Sequence, residues 1–281
     1  MSISPARRLW AAVEPLHAVV YFAPETASAA KEAGLRGYWM GYFAGRLAPV
    51  GPIGPAAATS MLFGFAPAMV SRALPDAWSF ASPAEVLRTR LAAVENALSA
   101  VLGPSGHDEL ASLLSLAASA CDFDARPLAA AWSAVPRPTG VLGRLWLAAT
   151  VLREHRGDGH VLSAVHAGLT GLETTLTHIG DSVIARGDVQ PHRGWSDAEW
   201  TLAAERLRTR GLLDPAGRLT PSGTALRRRI EEDTDRLAAA PVDALGPAGL
   251  SRLLELATPL SRAVIDAGVV PVPNPMGVPR P

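Results

Sequence analysis

The sequence predicts a mostly helical protein built from two tandem, diverged copies of one unit, each with a small two-stranded β-hairpin. Three observations support this fold class: apolar residues recur at helical spacing, short blocks of sequence recur in the second half, and one capped helix is followed by a Pro/Gly turn. With 281 residues, 48% of them hydrophobic, the chain is long enough to bury a large core and to form two domains.

The internal repeat is the most informative feature of the chain. Arg8-Leu9-Trp10 recurs as Arg144-Leu145-Trp146, and three further blocks recur in the same order, with slowly drifting spacing. Such an ordered set of matches predicts a tandem duplication. The other matched pairs are 33–37 with 167–171, 86–91 with 225–230, and 102–106 with 245–249. Because two copies of one unit usually meet about a twofold axis, we expect an intramolecular pseudo-dimer.

Helical periodicity and chain breaks set the domain boundaries. Apolar positions at helical spacing predict helices in both copies, over 6–13, 83–102, 142–152 and 223–237. Prolines and Gly140 interrupt the pattern between the copies. We therefore expect a first, degenerate unit over 1–125, a linker over 126–141 and a second unit over 142–270. Residues 271–281 are rich in proline and lack periodicity, so they predict a disordered tail.

The second copy carries the clearest local signature. Ser196 and Glu199 have the spacing of a capping box, so a helix is expected to begin there and to end at Gly211. Residues 212–220 then predict a short strand, a Pro/Gly turn and a return strand. Thr220 or Ser222 is expected to cap the following helix.

The segment 199–232, EWTLAAERLRTRGLLDPAGRLTPSGTALRRRIEE, resembles the winged helix of MarR-type regulators. The resemblance implies a recognition helix, a two-stranded wing, and a helix that opens after Leu219-Thr220-Pro221. The whole chain is also similar to a group of actinobacterial proteins labelled as a helix-turn-helix family, on the segments 14–25, 37–46 and 152–160. The expected fold is therefore all-α with small β-wings: two tandem MarR-like winged-helix halves.

The charge pattern of the recognition helix disfavours DNA binding. The helix begins with Asp197 and Glu199, which phosphates repel, and its arginines cluster late. The first-half counterpart, residues 55–65, is almost wholly apolar, and a dimeric regulator that loses one of its two heads loses about half of its phosphate contacts. If the second-half helix does bind DNA, the expected contact residues are Arg206, Arg210 and Arg218.

Global composition excludes several function classes. The formal net charge is zero and the pI is about 7.1, so no overall field attracts nucleic acid or an anionic membrane. Cys121 is the only cysteine, which excludes an internal disulfide and a cysteine-rich zinc site. No secretory signal or membrane-spanning run is apparent, so we expect a cytoplasmic protein without a membrane partner.

Two polar-aromatic stripes in the first half predict one wall of a ligand pocket. Their members are spaced by three or four residues and would share a helical face. Aromatic bodies with hydroxyl, imidazole and guanidinium tips suit an apolar pocket, although ordinary core packing of amphipathic helices explains the same pattern. The stripes are Glu14, His17 and Tyr21, followed by Tyr38, Tyr42 and Arg46.

The stretch 153–160 predicts the opposite wall. It lies between the apolar runs 141–152 and 161–176, and its glycines, Gly157 and Gly159, are expected to let the backbone turn sharply. Trp10 precedes His17 by the same interval that separates Trp146 from Arg153, so a twofold arrangement would bring the two walls together. The candidate residues of this wall are Arg153, His155, Arg156, Asp158 and His160.

These features favour a small-molecule-binding protein with an enzymatic role. His17 or His155 would transfer protons, Glu14 or Asp158 would orient the imidazole, and the arginines would anchor an anionic ligand. The histidines His17, His155 and His160 are also candidate metal ligands. No sharp catalytic motif is present, so the chemistry stays open between acid–base catalysis without a cofactor, a divalent metal, and haem. The alternative is a ligand-responsive, MarR-like transcription regulator that binds DNA through the second-half winged helix.

Overall fold

Helices form nearly all of the regular structure in this computed structural model, which describes residues 3–181, 185–274 and 276–281. Two short 3₁₀ segments, Ala48–Val50 and Gln190–His192, connect helices. The helices are α1 (Pro5–Phe22), α2 (Pro24–Glu32), α3 (Gly37–Leu47), α4 (Pro55–Met61), α5 (Pro67–Ser71), α6 (Ala77–Phe80), α7 (Pro83–Leu102), α8 (Asp108–Ser119), α9 (Pro127–Ser133), α10 (Val141–His166), α11 (Gly171–Ile179), α12 (Arg186–Val189), α13 (Asp197–Thr209), α14 (Pro221–Leu237) and α15 (Ala240–Asp266). The described chain is therefore predominantly helical, as the helical spacing of its apolar residues predicts.

Local capping explains where the principal helices begin. Many of them carry proline in the first turn, where the missing N–H has no intrahelical partner and the fixed φ suits a helix. The side chains of Ser4 and Ser82 accept hydrogen bonds from backbone N–H groups at the starts of α1 and α7. The predicted capping box of α13 is confirmed, because Ser196 and Glu199 bond reciprocally to each other's backbone.

The two halves of the chain are interleaved in one large core. Helix α1 from the first half packs most closely against α15 from the second, and α8 packs against α10. Helices α1 and α10 also contact each other, as do α8 and α15. The core is filled by fully buried side chains such as Trp146, Trp132 and Phe43.

A second, smaller core lies within residues 169–230, which we call the α13 unit. Helices α11, α13 and α14 surround Leu176, Trp200, Leu207 and Ile230, all of them buried. Helix α13 ends before Gly211, whose φ of 68° is readily adopted only by glycine. The unit therefore has an apolar interior of its own, separate from the large core.

The predicted β-wing is reduced to a single antiparallel bridge between Leu213 and Leu219. The Asp214 N–H donates to the Arg218 carbonyl at 2.8 Å, and the Asp214 carboxylate accepts from the Arg218 N–H at 2.9 Å. This side-chain bond closes the turn immediately after the bridge, which leaves no length for strands. In the first half, α4 and the turn that follows it occupy 55–65, and the described residues contain no strand there.

The expected turn at Gly157 and Gly159 is wrong, because α10 runs without interruption through both glycines. Gly159 permits a close approach: a Cβ there would lie 3.3 Å from Arg126 Nη1 and 3.4 Å from Leu237 Cβ. A Cβ at Gly157 would make only ordinary contacts, 3.8 Å from Arg153 Nη1 and from Glu154 Oε2. These glycines therefore make room beside a straight helix rather than bending it.

Described residues of the expected linker and tail also pack on the core. Within 126–141, α9 buries Trp132, whose indole N–H donates to the Arg46 carbonyl at 3.2 Å. In the tail, the Asn274 side chain accepts from the Val278 N–H, and Val278 is only 3% exposed. Both segments contain enough apolar side chains to pack on the core. No helix in the described ranges combines the length and apolarity needed to cross a bilayer.

Candidate functional site

A cavity of about 520 Å³ lies where the first half of the chain meets α10 and the α13 unit, and we call it the seam cavity. Helices α1, α3, α10, α11 and α14 contribute to its walls. Its volume is in the range of small-molecule sites. The polar residues that line it are Arg7, Glu14, Tyr42, Arg46, Arg153, Glu154, Arg156, Asp158, His160, Thr174, Thr175, His178, Asp181, Arg193, Arg227, Glu231 and Thr234.

The inner wall of the seam cavity holds a buried ion network. Arg46 binds the Glu154 carboxylate through two bonds of 2.8 and 3.2 Å, and Arg153 Nη1 lies 2.7 Å from the same group. Burial alone would raise the pKa of Glu154, but Arg153 and Arg46 outweigh it and lower the pKa to about 2. Glu154 is thus the anion that holds two guanidinium groups in place. Glu154 belongs to the polar stretch 153–160 but was not among the residues predicted for this wall.

Glu14 lies at the edge of this network. Its Oε2 accepts from the Trp10 indole at 3.0 Å, and its Oε1 lies 3.8 Å from Arg153 Nε. Burial raises the pKa of Glu14 more than Arg153 lowers it. The protonated form of this carboxyl group is therefore favoured at higher pH than is usual for glutamate.

The outer wall holds a second network, between α1, α10 and α14. Arg156 Nη1 lies 2.8 Å from Asp235 Oδ1, and Arg7 Nη2 lies 2.8 Å from Glu231 Oε2. Arg227 is also paired with Glu231. These ion pairs connect the first helix of the chain to the α13 unit. Of these residues, only Arg156 was predicted from the sequence as a site residue.

His17 is a core residue rather than a residue of the cavity wall. The Thr150 hydroxyl donates to the Trp146 carbonyl, so His17 Nδ1–H donates to Thr150 at 2.9 Å and Nε2 accepts from the Tyr21 hydroxyl at 3.1 Å. Burial lowers the pKa of His17 well below its usual value. Its neutral imidazole thus joins α1 to α10, and both ring nitrogens are engaged.

His155 lies on a different side of α10 from the seam cavity. Consecutive residues of a helix are about 100° apart around its axis, so His155 does not share the side of α10 from which Glu154 faces the seam cavity. His155 Nε2 lies 3.6 Å from Asp122 Oδ2, and burial lowers the pKa of His155 to about 4. The expected joint site of His17 and His155 is therefore not formed.

Asp158 and His160 line the seam cavity but are engaged in structural contacts. Asp158 Oδ2 accepts from the N–H groups of Leu128 and Ala129, 3.0 Å each, which caps α9. Its pKa is raised to about 6 by burial, against the effect of these bonds. His160 Nδ1 lies 3.1 Å from the Thr234 hydroxyl, and burial lowers its pKa to about 4. The Asp158 carboxylate consequently does not orient an imidazole, contrary to the expectation.

The tyrosines of the first half line a second cavity, of about 350 Å³, between α1, α2, α3 and α7. Tyr21 and Tyr38 border this cavity, while Tyr42 borders both cavities. Arg90 of α7, which was not predicted from the sequence as a site residue, also lines it. We call this second space the Arg90 cavity.

The candidate metal ligands His17, His155 and His160 do not share one site. Among the residues that the structure describes, no three His, Cys, Asp or Glu side chains lie together in a way that would hold a metal ion. His17 is bonded to Tyr21 and Thr150, whereas His160 contacts α14.

The arginines expected to contact DNA lie exposed around α13, but each has a partner within the protein. Arg206 Nε lies 2.9 Å from Glu173 Oε1, and Arg210 Nη1 donates to the Gly168 carbonyl at 2.9 Å. Arg218 is paired with Asp214 at 2.9 Å. A phosphate would compete with these partners for the same guanidinium groups.

Comparison with known proteins assigns a family to the chain. The sequence profile described as "Helix-turn-helix family" matches residues 6–271. No curated protein and no solved structure matches the chain. Because the profile covers nearly the whole sequence, this protein belongs to that helix-turn-helix family.

Proposed function

We propose that this protein is a ligand-responsive DNA-binding regulator, in which the α13 unit contacts DNA and the seam cavity binds a small anionic molecule. The observation that carries the proposal is the position of the seam cavity. Its walls include α11, which packs against α13, and α14, which shares the apolar core of the α13 unit. A ligand there would touch both that unit and the large core, so its binding can change how the unit is held.

The charge of the seam cavity favours an anionic ligand. Six arginines and five carboxyl groups line it, and burial raises the pKa of two of those carboxyl groups, Glu14 and Asp158. Arg193 makes no ion pair with any described residue; its guanidinium lies 4.5 Å from the centre of the Phe65 ring and close to Tyr42. A carboxylate or phosphate would supply this group with the bidentate partner that it lacks.

The pairing of helices supports a duplicated, MarR-like architecture. Helix α1 packs on α15 as α10 packs on α8, and each of these pairs joins one half of the chain to the other. The repeat aligns the start of α1 with that of α10, and the segment that precedes α8 with part of α15. In this proposal the chain is an intramolecular pseudo-dimer that keeps one DNA-binding head and has lost the other.

We expect the full chain to enrich duplexes from a randomised DNA pool. The affinity for the enriched duplex should fall steeply with salt, because arginines that replace counterions dominate such binding. Arg218 is 78% exposed beside the bridge, and Arg208 is exposed on α13. Arg218→Ala and Arg208→Ala should each weaken binding several-fold and lower the slope of log affinity against log salt by about 1. Fluorescence anisotropy over a salt series measures both quantities.

Arg252→Ala is the matched control for this experiment. Arg252 is also an exposed, ion-paired arginine, but it lies on α15 and contacts Glu109 of α8. Its replacement should leave DNA affinity unchanged. Failure of the wild-type chain to enrich any duplex, or equal effects of all three substitutions, would contradict the role of the α13 unit.

A second candidate function is small-molecule binding or catalysis without DNA. The observation that favours it is the internal pairing of Arg206, Arg210 and Arg218, which reduces the charge available to phosphates. The acidic side chain of Asp197 at the start of α13 acts in the same direction. In that case the seam cavity would retain its anionic ligand, and the pool experiment would yield no enriched duplex.

A further inference from the structure

The Arg90 cavity has mostly apolar walls and opens to solvent. Ala30, Leu35 and Val86 contribute to its lining, together with the ring of Tyr21. Tyr38 also lines it and is 52% exposed, which shows where the cavity meets the surface. A volume of about 350 Å³ is sufficient for a small organic molecule.

The charged side chains of this cavity have one sign. Arg90 and Lys31 line it, and no carboxyl group is among the described residues of its wall. Arg90 is only 8% exposed, and its Nε is buried without a hydrogen-bond partner. The guanidinium forms no hydrogen bond or ion pair with any residue that the structure describes. A buried cation in this condition is costly unless an anion compensates it.

The backbone makes room for the Arg90 guanidinium. A Cβ at Gly45 would overlap Arg90 Nη1, so the glycine lets the Arg90 side chain lie against α3 in this position. The nearest compensation comes from the rings of Tyr21 and Trp146, whose centres lie 5.7 and 6.0 Å from the guanidinium carbon. These distances are at the outer limit of cation–π attraction, which cannot replace hydrogen bonds to five N–H donors.

We propose that the Arg90 cavity is a binding site for a small monocarboxylic acid with an apolar body. The carboxylate would accept a bidentate pair of hydrogen bonds from Arg90, and the aromatic or aliphatic body would lie among the alanine, leucine and tyrosine side chains. This site is distinct from the seam cavity and does not depend on DNA binding. Tyr42 forms part of the wall of both cavities, so the two sites are neighbours.

The test compares acids with their neutral amides. We expect 1-naphthoate, phenylacetate or octanoate to bind the wild-type chain, in calorimetric titration, about 10-fold or more tightly than the corresponding primary amide, because only the acid pairs with Arg90. In Arg90→Met this preference should disappear. Arg88→Met is the matched control: Arg88 lies on the same helix but is exposed and paired with Glu85, so its replacement should preserve the preference.

Two further measurements keep the proposal falsifiable if Arg90→Met does not fold. Equal affinities of acid and amide for the wild-type chain, or no binding of any acid at millimolar concentration, would overturn the site. A crystal structure of the wild type with the tightest acid should show its carboxylate on Arg90. The acid in the seam cavity alone, or an acid preference that persists in a folded Arg90→Met, would also overturn it.

Discussion

Replacing Glu154 by glutamine is expected to lower the free energy of unfolding by roughly 3 to 5 kcal/mol, the usual result of breaking a buried ion pair. Glu154 is 1% exposed and binds both Arg46 and Arg153. Glutamine preserves the size of the side chain but removes the charge, so the buried guanidinium of Arg46 and the half-buried guanidinium of Arg153 lose their anion. Equilibrium denaturation with guanidinium chloride measures the change.

Glu85→Gln is the control for that prediction, because Glu85 makes an equally short but exposed ion pair with Arg88. It should leave the free energy of unfolding unchanged. The double variant Arg46→Met, Glu154→Met should recover part of the loss, since no buried charge of that pair then lacks a partner. Equal stabilities of Glu154→Gln and Glu85→Gln would contradict the structural role of the network.

Acidification is expected to destabilise the protein between pH 6.5 and pH 4, and His160 should account for a large part of the effect. Burial lowers the pKa of His160 from 6.5 to about 4 in the folded chain. The folded state therefore binds fewer protons than the unfolded state in this window, so stability is complete above pH 6.5 and is lost as pH falls. A pKa difference of this size corresponds to roughly 3 kcal/mol.

Charged groups around His160 also affect its pKa. Arg227, Arg156 and His178 disfavour the imidazolium, and Glu231 favours it. His160→Asn, which can still donate to Thr234, should flatten the pH dependence of the free energy of unfolding. His166→Asn, at the exposed end of α10, is the control. An unchanged slope in His160→Asn would contradict the assignment.

Other groups also contribute to this pH dependence, because burial lowers the pKa of His17 and of His178 as it lowers that of His160. The pKa of His155 is lowered to about 4, so it acts in the same direction as His160. The pKa of Asp158 is raised to about 6, so its protonation stabilises the folded state as pH falls toward 3.8. The comparison of variants, rather than the total slope, therefore isolates His160.

Local sequence rules predicted the parts of the fold that local interactions determine. Ser196 and Glu199 sit three residues apart, and this spacing alone fixes the start of α13. Arg46 and Arg153 were expected at one site because a twofold arrangement of the repeats would bring the two walls together, and both line the seam cavity. Glu154 pairs with both arginines, but sequence spacing does not predict this, because it depends on which side of α10 faces the cavity.

The wrong predictions arose where tertiary packing overrides a local signal. Gly157 and Gly159 usually indicate a chain break, but here one faces a cavity and the other a close helix contact within a continuous helix. That continuity turns His155 away from the site. Arg90 could not have been found from sequence, because its burial depends on the contact of α7 with Gly45 of α3.

The most direct test of the account is whether a ligand of the seam cavity changes DNA affinity. Gly157→Leu should fill the cavity without a backbone clash, since a Cβ at Gly157 lies no closer than 3.8 Å to its neighbours. A panel of dicarboxylates and phosphate esters would be added to the wild type and to this variant, each bound to the duplex selected from the randomised pool. We predict that at least one anion changes the DNA affinity of the wild type by about 5-fold or more and leaves the variant unchanged. Identical DNA affinity with and without every anion, or the same change in Gly157→Leu, would contradict the proposal.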